Sequence, residues 1–115
     1  MFFRFRGSSV DSLPSHAYSV CMLEIRFSWD EKKNRSNQRK HGISFNEAQT
    51  TFYDENAKVY FDPDHSSDED RFILLGISSR LRMLVVCHCY LEGESVIRII
   101  SARKADRQEA EDYLK

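Results

Sequence analysis

Ten residues, 32–41, carry Lys32, Lys33, Arg35, Arg39, Lys40 and His41 and no acid. On a helix, such a run is either a solvated face or a surface that grips phosphates without reading sequence. A second set of cations, Arg71, Arg98, Arg103 and Lys104, lies in or beside apolar runs. An arginine in an apolar strand must reach water, a carboxylate or a ligand, because burying it unpaired is costly. Its planar fork suits phosphate, but the acids of residues 62–70 or Glu109 could equally take it as a salt bridge. Proton transfer needs another kind of group. His41 and His88 exchange protons near neutral pH, and Glu47 could act as a base. His88 sits in an apolar run and reads as a satisfied core residue. His41 follows Lys40 at a helix end, where the dipole favours the imidazolium and nearby cations oppose it.

Metal and nucleotide chemistry find less support. Cys87 and Cys89 would point to one side of a strand with His88 opposite, but a zinc site needs a fourth ligand and a different spacing. With Cys21 the count is odd, without a disulfide framework, and a reducing cytoplasm is the expected setting. Residues 62–70 hold five carboxylates and His65, yet they lack the glycine and the ligand spacing of a calcium loop. They read as a solvated turn that offsets the basic helix. Walker A, G-x-G-x-x-G, G-x-S-x-G and H-E-x-x-H patterns are missing from the sequence. No metal and no cofactor is expected.

These side chains need elements to position them. The chain has 115 residues, 41% apolar, with 17 Lys+Arg against 18 Asp+Glu. That allows one domain with a modest core, and it excludes wholesale disorder and a uniformly basic nucleic-acid binder. No apolar run reaches the roughly 18 residues of a membrane span, and the N-terminal apolar run is too short and interrupted for a signal peptide. Residues 1–21 are turn-rich and aperiodic, and are expected to be a loose extension or to precede a true start at Met22. The domain is residues 22–115.

Residues 23–29 alternate and read as a strand. The S-x-x-E spacing of Ser28 and Glu31 predicts a capping box that opens a helix over about 30–41, stopping at Gly42. That helix carries almost no apolar stripe, and Trp29, Lys33, Asn37 and Lys40 share one of its faces. Ser44 and Glu47 repeat the spacing and open a short second helix with Phe45, Ala48 and Phe52 inward. Strands are expected at 59–61, 71–77, 82–91 and 95–102, the last three joined as hairpins. Residues 84–91 are apolar on both parities, as in a strand covered on both faces. Asp106 and Glu109 form a third capping box, for a helix ending near Leu114. The order β-α-α-β-β-β-β-α is an α+β domain: a mostly antiparallel sheet of four to five strands, two N-terminal helices and a C-terminal helix.

Three ordered blocks resemble the BrnT-type toxins: FSWDEKKNRSNQRKHGISF at residues 27–45 with Glu47 and Ala48, RFILLG at 71–76, and RIISARKA at 98–105. The likeness runs from about Met22 to Tyr113. It implies a RelE-like fold and a toxin of a bacterial type II toxin–antitoxin pair that cleaves RNA in the cytoplasm. It also implies a BrnA-like antitoxin partner of ribbon-helix-helix type, through which the complex touches operator DNA indirectly, and no membrane contact. The family pattern falls on Trp29, Lys33, Asn37, Lys40, His41, Gly42, Glu47, Arg71, Arg98 and Arg103. A metal-free ribonuclease needs a base, an acid and fixed cations for the developing charge. Under this reading Arg71 and Arg103 take the phosphate, and His41 or Glu47 is the base or acid. Lys33, Lys40, Arg98, Trp29 and Asn37 hold the RNA. The alternative is a non-catalytic binding module acting as co-repressor with its antitoxin.

Overall fold

The computed structural model describes residues 25–93 and 95–115. The expected extension over residues 1–21 lies outside them. The elements follow the expected order: β1 (Arg26–Ser28), α1 (Glu31–His41), α2 (Phe45–Thr50), β2 (Lys58–Phe61), β3 (Phe72–Ile77), β4 (Met83–Leu91), β5 (Val96–Lys104) and α3 (Arg107–Leu114). Short 3₁₀ turns follow α2 at Thr51–Tyr53 and β2 at Pro63–His65.

The strands form one sheet in the order β1-β5-β4-β3-β2. β2, β3, β4 and β5 pair antiparallel, as consecutive hairpins require, but β1 runs parallel to β5. The sheet is therefore mixed. Hydrophobic alternation carries no strand direction, so that pairing was outside its reach. β4 is the central strand, as its double-sided apolar pattern predicts. Leu74, Leu84, Val86, Ile97, Ile99 and Ala102 face Ile43, Phe45, Ala48 and Phe52, and together they form the core. Each large side chain buried there contributes about 1.5–3 kcal/mol. His88 belongs to the same layer. It is fully buried, its Nδ1 faces Val86 O at 3.1 Å, and its Nε2 faces Tyr90 Oη at 3.2 Å. Burial pushes its pKa down to about 4, so the ring is neutral at pH 7.

The caps correct two local expectations. α1 is capped by Asp30, whose carboxylate accepts from the N–H groups of Lys32 and Lys33. Ser28 is still in the sheet, paired with Arg98, and so cannot cap the helix. Glu31 instead accepts from Trp29 Nε1 at 2.9 Å and Asn34 Nδ2 at 3.2 Å. At Ser44 half of the box forms: its hydroxyl takes Glu47 N–H, but the Glu47 carboxylate goes elsewhere. Asp106 and Glu109 make the complete reciprocal box. Gly42 ends α1 at φ 73°, a left-handed conformation that favours glycine, and its N–H donates to Gln38 O.

α1 has no apolar contact face. Its buried residues are Asn34 and Asn37. Asn34 Oδ1 accepts from Phe45 N at 2.8 Å. Asn37 Nδ2 donates to Ile43 O at 2.9 Å and Ala102 O at 2.8 Å, while its Oδ1 accepts from Ala102 N at 3.1 Å. The helix is thus docked by amides bonded to backbone.

Candidate active site

The face of the sheet opposite the helical core carries the arginines. Regular alternation would put Arg98 and Arg103, five residues apart, on opposite faces. They share a face because β5 holds one extra residue: Cys87 pairs with Ser101 and His88 with Ile99, leaving Ile100 as a bulge. Past the bulge the parity reverses, so Ile97, Ile99 and Ala102 enter the core while Ile100, Ser101 and Arg103 line the other side. Cys87 and Cys89 occupy that side too, opposite His88 as predicted. Burial raises both thiols above their usual range, so they stay protonated at neutral pH.

An open cavity of about 220 Å³ lies here, bounded by Asp62, His65, Arg71, Val85, Ser101 and Arg103 among others. Arg71 enters from the start of β3. Its Nη2 lies 3.3 Å from Glu69 Oε2, and its Nε is buried without a hydrogen-bond partner among the described residues. Arg103 enters from β5. Its Nη1 and Nη2 each lie 2.8 Å from a Glu109 oxygen, and its side chain is 43% exposed. That pair holds Glu109 below the usual carboxylate range. Arg98 lies beside Cys89 on the same face, without a carboxylate partner among the described residues. The salt-bridge alternative thus holds for Arg71 and Arg103, and both still border the cavity.

The remaining sequence candidates are elsewhere. Lys33, Lys40 and His41 are exposed on α1, and none lines the cavity. Trp29 packs its ring edge against Phe45 at 6.1 Å, and it is a partly buried flank of the core. Asn37, expected to hold RNA, is buried with its amide bonded to backbone groups. Glu47, expected as a base or acid, is likewise engaged by other side chains. It is a buried residue of α2 and is bound by Ser78 Oγ at 2.7 Å and by the Arg82 guanidinium, whose Nε lies at 2.9 Å. The Arg82 hydrogen bonds are the main reason its carboxyl stays below the usual range, so it is a poor proton acceptor near neutral pH.

This pair carries a stability prediction. A folded-state pKa below the unfolded value of about 4.3 gives stability that is present above that pH and is lost as pH falls through the folded value. Arg82→Ala is expected to destabilise the fold at pH 7, by less than the loss of a fully buried pair would because Arg82 is 30% exposed. The gap to the parent protein should close below about pH 4. Urea titrations at several pH values would read it, and a gap independent of pH would refute the pair's role.

Sequence reasoning missed Asp62 and His65. The acidic loop is not a turn that merely offsets the basic helix; it borders the arginine cavity. Asp62 Oδ2 lies 2.9 Å from His65 Nδ1, and Glu69 lies against Arg71 and Cys89. The available signal was the i, i+3 spacing of Asp62 and His65 around Pro63, which closes a single 3₁₀ turn.

Comparison with known proteins gives a family match over residues 29–109, described as "Ribonuclease toxin, BrnT, of type II toxin-antitoxin system". The chain belongs to the BrnT toxin family. A crystal structure of the Brucella abortus ribonuclease toxin BrnT matches with a TM-score of 0.55 and 26% identity, over 72% of this chain and 99% of that one. No curated protein sequence matches the chain. The BrnT match spans Arg71, Arg98 and Arg103 together with Asp62 and His65. Membership in a type II toxin–antitoxin family implies an antitoxin partner. Among the described residues no helix is long and apolar enough to cross a membrane.

Proposed function

We propose that this chain is a metal-independent ribonuclease toxin whose active face is the arginine-bearing side of the sheet. The observation that carries the proposal is the convergence of Arg71 and Arg103 on one cavity, with Arg71 Nε buried and unpartnered among the described residues. A buried donor without a partner is costly and rare, and an anionic phosphate oxygen is its natural complement. In RNA cleavage the ribose 2′ oxygen attacks the adjacent phosphorus, and negative charge grows on the non-bridging oxygens. Guanidinium donors fixed beforehand stabilise that charge without reorganising. Arg98 extends the positive surface, and Lys33 and Lys40 add exposed charge that draws the RNA backbone from α1.

The α+β arrangement is read as RelE-like. The antitoxin is taken to be a BrnA-like ribbon-helix-helix protein that inhibits the toxin in the cytoplasm and carries the complex to operator DNA. One observation favours the rival, a non-catalytic co-repressor module: both cavity arginines already hold carboxylates.

Purified antitoxin-free protein decides between the two. RNA cleavage in excess chelator, leaving 2′,3′-cyclic phosphate and 5′-hydroxyl ends, is the expected result, and a 2′-deoxy sugar at the cut should block it. Intact RNA, or 5′-phosphate ends, would refute the nuclease proposal.

A further inference from the structure

We infer that His65, held by Asp62 at the edge of the arginine cavity, is the residue that takes the proton from the attacking 2′-hydroxyl. The inference rests on the ribonuclease reading above and adds the proton-transfer group which that reading lacks. Of His41, His65 and His88, only His65 borders the cavity. His88 is sealed in the core, and the Glu47 carboxylate is occupied by Arg82.

The loop is built to hold this ring. Asp62 N–H donates to Arg71 O at 2.9 Å, and Arg71 N–H donates to Ser66 Oγ at 2.9 Å, so both ends of the loop are tied to the entrance of β3. Asp62 is only 8% exposed, while the His65 side chain is 67% exposed. A buried carboxylate at Nδ1 takes the hydrogen of the neutral ring, which leaves the lone pair on Nε2 and steadies the imidazolium once it forms. The charged groups facing the ring are Asp62, Asp64, Asp68 and Glu69 from the loop, Arg71 from the start of β3 and Arg103 from β5. The arginines thus stand beside the base, where the phosphate must sit.

In the step, Nε2 accepts the 2′-hydroxyl proton as the O2′–P bond forms and the P–O5′ bond breaks. The departing 5′ oxygen takes a proton from water. The imidazolium gives its proton to the hydroxide left behind, so no proton is lost and the product is the cyclic phosphate.

The test compares His65→Ala, Asp62→Asn and Arg71→Ala in the full chain. His65→Ala should slow cleavage by about 100-fold or more and regain activity with added imidazole. Binding of a 2′-O-methyl RNA, which cannot be cleaved, should be unchanged, and this also shows that the variant is folded. Asp62→Asn should lose less activity and gain nothing from imidazole. If His65→Ala cleaves at the parent rate while Arg71→Ala is inactive, the inference is overturned and the arginine reading stands. Loss of 2′-O-methyl RNA binding in His65→Ala also overturns it, since His65 then holds RNA rather than moving protons. A parent protein that cleaves no RNA overturns both.

Discussion

Replacing either Arg71 or Arg103 with alanine is expected to slow RNA cleavage by about 100- to 1,000-fold, the usual cost of losing one preorganised donor to a developing oxyanion. The double variant no longer arrests growth when expressed without its antitoxin. The expected effect is on chemistry and not on folding. The Arg103–Glu109 pair is partly exposed, so its loss costs less than about 1 kcal/mol. Arg71→Ala removes a buried Nε that has no hydrogen-bond partner among the described residues. Lysine at either position recovers little, because a point charge does not reproduce the fork that engages two oxygens at once. Single-turnover cleavage assays with urea midpoints as the folding control make the measurement. Full cleavage and full toxicity in both alanine variants would remove the arginine face from consideration.

Asn37→Ala unfolds the protein more readily than any lysine change on the same helix. The substitution strands Ala102 N–H, Ala102 O and Ile43 O at a buried site. Each orphaned group costs about 1–3 kcal/mol, so a loss of about 3–5 kcal/mol is expected. That is a large part of the 5–15 kcal/mol typical of a whole domain. Asn37→Asp does not rescue it, since a carboxylate has no hydrogen to offer the two carbonyls. Lys33→Ala and Lys40→Ala, both exposed, stay within about 0.5 kcal/mol. The readout is the urea midpoint at constant slope. An Asn37→Ala protein within 1 kcal/mol of the parent would refute the clamp.

The element order was legible because each element carries its own local signature. Gly42 stops α1, Asp106 and Glu109 cap α3, and residues 84–91 are apolar on both parities. What could not be read depends on contacts distant in sequence. The parallel pairing of β1 with β5 joins Arg26 to Val96, and neither residue hints at the other. The polar helix over 31–41 looked free of the core because apolar spacing is the signal for docking, and here two asparagines dock it. The arginines were legible as residues that need a partner, but their shared face depends on the bulge at Ile100, which leaves no mark in apolar spacing. Asp62 and His65 were hidden by their setting, since an acidic loop reads as solvent-facing until its backbone is seen tied to Arg71. Glu47 resembled a base only while Arg82 and Ser78 were unknown as its partners.

The anchoring of α1 to Ala102, 65 residues downstream, ties the folding of the N-terminal elements to the synthesis of β5. On the ribosome β1 and α1 emerge before β5, the strand that both of them bind. α1 has no apolar stripe to hold it, and the strand that receives Asn37 is synthesised 65 residues later. Arg98 and Arg103 ride on that strand. Long-range pairings of this kind form only once the intervening chain is available. The arginine face proposed to act on RNA therefore forms only once β5 has been made, and the stretch of synthesis before that leaves time for a resident antitoxin to be in place.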